Sequence, residues 1–224
     1  MLILQTQEKI KMLKKRIAMS LIGVLVCAAA VGVFKAAALG VDPFQSLMSG
    51  LNMVIPISFG TLYLIANAIL LLFSLIADRH NIGIATVLNL TLFGYIAQFV
   101  QEIVLRITGE PSLPLRFILL VIGFVVLCLG TAVYMTADLG ISTYDALANT
   151  MAYKWKWGPF KYVRIATDTV CVILGAILGL IGGSWKDILA YIGIGTIMTA
   201  FFMGPLIDFF NRKVAQPMLG KESS

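Results

Sequence analysis

The chain has 224 residues, 59% of them hydrophobic and 12% charged, with a mean hydropathy of +0.94. That balance excludes a water-soluble globular domain, which would have too little polar surface to cover such a core. The net charge of +6 would suit a nucleic-acid partner in a soluble protein, but here the basic residues stand at the edges of apolar runs. The lipid bilayer is therefore the expected partner, and nucleic acid is not.

Crossing a hydrocarbon core takes about 20 helical residues. Ahead of the first run of that length lies a basic cytoplasmic tail, residues 1–15, carrying Lys9, Lys11, Lys14 and Lys15, with Arg16 directly after it. The first span, 17–39, is longer than a signal-peptide core and has a counterpart later in the chain, so it is read as retained. It ends at a break. Gly40 can supply the left-handed residue that closes a helix, Asp42 suits an N-cap, Pro43 the first helical position and Gln45 the third.

The helix that restarts there, 43–53, is short and amphipathic. Phe44, Leu47, Met48 and Leu51 form its apolar stripe, and Gln45, Ser49 and Asn52 its polar face. Spans at 59–77 and 82–104 follow, separated by a loop holding Asp78, Arg79 and His80. A loop at 107–115 leads to the fourth span, 117–137, which ends at a second break built from Gly140 and Ser142, with Asp145 at capping-box spacing. The short helix after it, 143–152, carries Asp145 and Asn149 one turn apart. Lys154, Trp155 and Trp157 mark a membrane boundary before the fifth span, 160–181, which contains Arg164, Asp168 and a Gly175/Gly179 pair. The sixth span is 188–210, and a polar tail, 211–224, ends the chain. Cys27, Cys128 and Cys171 all fall within spans, with no metal-ligand or disulfide spacing.

Two internal copies emerge from this order. At a shift of 100 positions Arg16, Gly23, Leu39, Gly40 and Leu47 coincide with Arg116, Gly123, Leu139, Gly140 and Leu147. Further on the shift becomes 110, where Gly83, Thr86, Gly94 and Phe99 meet Gly193, Thr196, Gly204 and Phe209. The expected fold is an all-α polytopic membrane protein of two repeats, 16–106 and 116–210, each with three transmembrane helices and one short helix. Because their polar faces lack Lys and Arg, the short helices read as re-entrant better than as surface-lying. Three spans per half turn the second copy upside down. Both termini and the Lys154 region are then cytoplasmic, with Lys35, Arg106, Arg116 and Lys186 outside and the other Lys and Arg inside. The charge count alone does not separate this from a topology in which the short helices cross.

The Leu-Gly-Val-Asp-Pro-Phe break at residues 39–44, its echo Leu-Gly-Ile-Ser-Thr-Tyr at 139–144, the Asp168 span and the Gly-Ile-Gly-Thr of 193–196 followed by Gly204-Pro205 resemble the YczE/YyaS/YitT family. The similarity runs from about Arg16 to Phe210. It implies a bacterial cytoplasmic-membrane protein, and it supplies neither a substrate nor a catalytic residue.

Ionisable groups inside spans point to function, since an Asp at mid-membrane costs about 2.5–3.5 kcal/mol on insertion scales. Asp168 is the clearest case, and Arg164, four residues earlier on the same face, is its expected structural partner. The candidate solute path combines Asp168 with Gln45, Ser49, Asn52, Asp145 and Asn149, and with the matched Thr86 and Thr196. The competing role for such groups is hydrogen bonding between helices, which suits the threonines best. No enzyme chemistry is expected. His80 is the single histidine, Thr196 stands where an intramembrane aspartyl protease needs its second carboxylate, and no cofactor, metal or catalytic set is present. The leading function is a transporter or channel for a small solute, with its polar site where the halves meet. The alternative is a non-transporting scaffold for another membrane or secretion component, and a homo-oligomer or a membrane partner remains open.

Overall fold

The computed structural model describes residues 2–79 and 82–220; His80, expected in a loop, lies outside them. The described residues form helices joined by short connections: α1 (Leu2–Ala37), α2 (Pro43–Val54), α3 (Phe59–Ala77), α4 (Ile84–Thr108), α5 (Leu113–Ala137), α6 (Thr143–Asn149), α7 (Phe160–Gly182), α8 (Trp185–Tyr191), α9 (Ile194–Phe210) and α10 (Gln216–Leu219). Six stretches are long and apolar enough to cross a membrane. The protein is a multipass membrane protein. α1 extends back through the basic tail, so that Lys9 to Arg16 lie on the same continuous helix as the first span.

α1 and α5 form the centre and are the most buried of the spans. They run antiparallel, because Gly23 faces Tyr134 and Gly130 while Gly123 faces Ala30 and Phe34. Small residues at the crossing let two backbones approach where lipid offers no hydrophobic drive for association. α4 runs parallel to α1: its start rests on the Leu139–Gly140 backbone near the α1 N-terminal half, and its middle, at Ala97, meets Gly32. α9 runs parallel to α5, with Gly195 against Leu120 and Asn211 accepting a bond from Thr136.

The helix breaks use local chemistry. Asp42 Oδ1 accepts from the Gln45 backbone N–H at 3.1 Å, and Pro43 follows in the first turn. Ser142 Oγ accepts from the Asp145 N–H at 3.1 Å and donates to Asp145 Oδ2 at 2.7 Å. The left-handed residues that close the preceding helices are Ala38 (φ 50°) and Asp138 (φ 54°), not the glycines expected there. Gly40 and Gly140 sit two residues further on at φ 102° and 104°, in a region that disfavours a side chain.

Each break lies on the start of a distant helix. The Gly195 N–H donates to Leu39 O at 2.8 Å, and Gly40 and Val41 donate to Ala190 O and Tyr191 O at 3.1 and 3.0 Å. Likewise the Ala85 N–H donates to Leu139 O at 3.0 Å, and Thr86 Oγ1 to Ile141 O at 2.7 Å. The bonds that one interruption frees are thus taken up by another, as an environment without water demands. This also explains a difference from the sequence reading. The sixth apolar run is not continuous: it divides at Ile192 and Gly193 into α8 and α9, because Gly193 packs on the Leu39–Gly40 backbone. The second short helix is briefer than expected too, passing at Thr150–Lys154 into a π-helical turn.

Candidate functional site

α2 and α6 begin head to head, with Phe44 stacked on Tyr144 at a centroid distance of 4.8 Å. From there they diverge. α2 follows α7, from Ser46 beside Gly175 to Met53 beside Gly182. α6 and the π-helical turn after it follow α3, from Thr143, which donates to Asn67 Oδ1 at 2.5 Å, to Lys154, which donates to the Ala77 carbonyl. Both short helices are wedged into the bundle and buried on more than their apolar stripes; Gln45, Ser46 and Thr143 are as buried as Phe44. A helix lying flat at the surface would expose such groups.

Beside the Phe44–Tyr144 stack lies a charged cluster. Arg164 pairs with Asp168, Nε to Oδ1 at 3.2 Å, as its spacing on one helix foretold. It also pairs with Asp145 of α6, a contact between elements that helical spacing does not reveal. The Tyr144 hydroxyl donates to Asp168 Oδ1 at 2.6 Å, and the guanidinium lies 4.5 Å from the centre of the Tyr144 ring. Each of the three charged side chains is less than a third exposed. One arginine thus holds two carboxylates and ties α6 to α7. Removing the arginine from such a set leaves carboxylates without the partner they were taken out of water to meet.

The second polar region is a cavity of about 550 Å³, open at the end of the bundle where α1 and α4 finish. Ser49 and Asn52 of α2 line it, with Lys35 of α1, Phe59 of α3, Gln98 and Gln101 of α4, and Asp187 of α8 among the other walls. Asn52 is engaged, donating to Ile57 O at 2.7 Å. The buried Ser49 Oγ has no hydrogen-bond partner among the described residues, nor does Gln45 Oε1 one turn earlier. From the cavity wall a line of rings leads inward: Phe59 meets Tyr63 at 6.1 Å, Tyr63 meets Phe44 at 5.8 Å, and Phe44 carries Tyr144 and so Arg164.

The sequence-derived candidates therefore separate into three groups. Ser49 and Asn52 line the cavity, with Gln45 one turn deeper on the same face. Asp145 and Asp168 belong to the arginine cluster, and Asn149 is half-buried on α6 without a hydrogen bond to a described residue. Thr86 and Thr196 cap α4 and α9, accepting from the Gly83 and Gly193 N–H groups, so both act in holding the breaks. Lys35, Tyr144, Asn67 and Gln101 were not singled out from sequence. Asn67 did leave a signal, an amide in the middle of an apolar span that has to find a partner, here Thr143.

A relative from Haemophilus influenzae, described as an uncharacterized protein, is 26% identical over 186 residues, covering 83% of this chain and 78% of its own length. The uncharacterized membrane protein YczE of Bacillus subtilis is 27% identical over 172 residues, covering 77% of this chain and 74% of that one. No solved structure matches. The model of DUF6198, a family of unknown function, matches residues 14–212, which include both breaks, the arginine cluster and the cavity, and the chain belongs to that family.

Proposed function

We propose that this protein moves a small solute across the cytoplasmic membrane, without enzymatic chemistry, along a path between two inverted halves. Several observations support the inverted arrangement. The unusual backbone angles recur 100 residues apart, at Ala38 and Asp138 and at Gly40 and Gly140. The equivalent helices α1 and α5 are antiparallel, and each half's break rests on the other half's last span. Phe44 stacks on Tyr144, its own counterpart. Inverted repeats meeting at interrupted helices are the arrangement in which secondary transporters place their sites. In this reading α2 and α6 are re-entrant, and both chain termini are cytoplasmic.

The observation that carries the reading is the polar face of α2. An orphaned hydroxyl at Ser49 and an orphaned amide oxygen at Gln45 are costly unless a ligand or water meets them, and Ser49 lies on an open cavity large enough for a small molecule. The rings from Phe59 to Tyr144 separate that cavity from the arginine cluster, as expected of a path open at one end and closed at the other.

Purified protein screened for thermal stabilisation by amino acids, nucleosides, vitamins and small organic acids, followed by uptake of the hits into proteoliposomes, tests the proposal. Ser49→Ala and Asn149→Ala are expected to lower uptake by about 3- to 10-fold, as the loss of one hydrogen bond would, with melting temperature near the parent's. Asp145→Asn cannot serve this purpose, because Asp145 is tied to Arg164 and its removal costs stability. Normal uptake by both variants would displace the site. A broad screen without a ligand, together with a reproducibly co-purifying partner, would favour a scaffold.

A further inference from the structure

We infer that the cavity holds its solute by a single carboxylate seated on Lys35, so that the substrate class is the small monocarboxylates, including zwitterionic ones. The inference rests on the transport reading only in taking the cavity as the solute's site. The Lys35 ammonium lies 3.0 Å from the centroid of the Phe59 ring, and both residues line the cavity. It takes part in none of the ion pairs among the described residues. Asp42 lies near enough to attract the ammonium but forms no ion pair with it and caps α2 instead, so the ring face stands in for a paired counter-charge.

The carboxylates in the cavity wall are engaged elsewhere. Glu102 accepts from Gln98 Nε2 at 3.1 Å and pairs with Arg106 at 3.9 Å. Asp187 accepts from the Ser184 N–H and hydroxyl at 2.8 and 2.7 Å, closing the first turn of α8. The groups left with capacity are the Lys35 ammonium and the Gln101 amide, which has no hydrogen bond to a described residue; the Ser49 hydroxyl is closed off within the same wall. An ammonium and an amide N–H can both donate to one carboxylate. The same wall limits the ligand's charge, since Glu102 and Asp187 repel a second negative group but tolerate, or attract, a positive one.

The test is calorimetric titration of the purified full-length protein with propionate, glycine, succinate and propionamide. Propionate or glycine is expected to bind saturably, succinate more weakly, and propionamide not measurably. Lys35→Gln is expected to weaken binding of the carboxylate about 10-fold or more, as loss of a charge-assisted bond does, and Lys35→Arg to retain most of it. Propionamide binding as well as propionate, succinate binding best, or no binding of propionate or glycine would overturn the inference without the need for any variant. So would Lys35→Gln that binds with the parent's affinity. Flux in proteoliposomes keeps the two claims apart. Lys35-dependent binding without flux sinks transport and leaves the carboxylate site standing. Flux of a neutral solute that ignores Lys35→Gln sinks the carboxylate site and leaves transport standing.

Discussion

Arg164→Gln is expected to lose about 3–5 kcal/mol of stability, the largest effect of any single side-chain change outside the helix breaks. Arg164 faces two acids, Asp145 on α6 and Asp168 on its own helix, both less than a quarter exposed. Its removal leaves two like charges in one poorly hydrated place. Asp168→Asn should cost clearly less, because Arg164 keeps Asp145 and the Tyr144 hydroxyl can still donate to the amide oxygen. The double variant Arg164→Gln/Asp168→Asn is then expected to be more stable than Arg164→Gln alone, a non-additivity that only coupled groups produce. Thermal unfolding of the detergent-purified proteins, with membrane yield alongside, measures the series. Additive losses, or an Asp168→Asn variant as damaged as Arg164→Gln, would show that the cluster is not held as one unit.

Gly140→Ala is expected to be as damaging or worse, through the backbone alone. At φ 104° the new side chain is strained, which costs on the order of 1–3 kcal/mol. Its Cβ would also lie 2.7 Å from the Gly83 Cα and 2.7 Å from Thr86 Oγ1, so that the start of α4 must move. Overpacking of that kind adds about 1–3 kcal/mol. Gly40→Ala repeats the experiment at the other break, where the Cβ would stand 2.6 Å from the Gly193 nitrogen. Gly204→Ala is the control, since a methyl there meets nothing within 4 Å. Melting temperatures of the three variants decide the matter: both break variants should fall far below the parent and the control should stay beside it. A Gly140→Ala protein as stable as the control would remove the breaks from the centre of this account.

What the sequence disclosed was set by local chemistry. Apolar runs of sufficient length gave the spans, and α3 begins and ends where the hydropathy does. Asp42, Pro43 and Ser142 announced the restarts because capping is a contact between residues three apart. Arg164 and Asp168 were readable for the same reason, as neighbours one turn apart. Contacts between elements were not readable in this way. Asp145 reaches Arg164 across 19 positions, and nothing in either segment alone specifies that pairing. The interruption at Gly193 was hidden because the apolar run passes straight through it, and its cause is the Leu39–Gly40 backbone far away in the chain. Lys35 read as a boundary charge, since its place on a cavity wall depends on how α2, α4 and α8 close around the end of α1.

The inverted arrangement of two halves is the central proposal, and the side of the membrane on which each connection lies tests it most directly. Single cysteines at Ser112, between α4 and α5, and at Gly220, beyond α10, can be probed in intact cells with a membrane-impermeant thiol reagent. The three native cysteines are buried and compete little. With three crossings between the two positions, Ser112→Cys is expected to label from outside and Gly220→Cys only after the membrane is permeabilised. Labelling of both from the same side would mean an even number of crossings, and the inverted arrangement would be wrong.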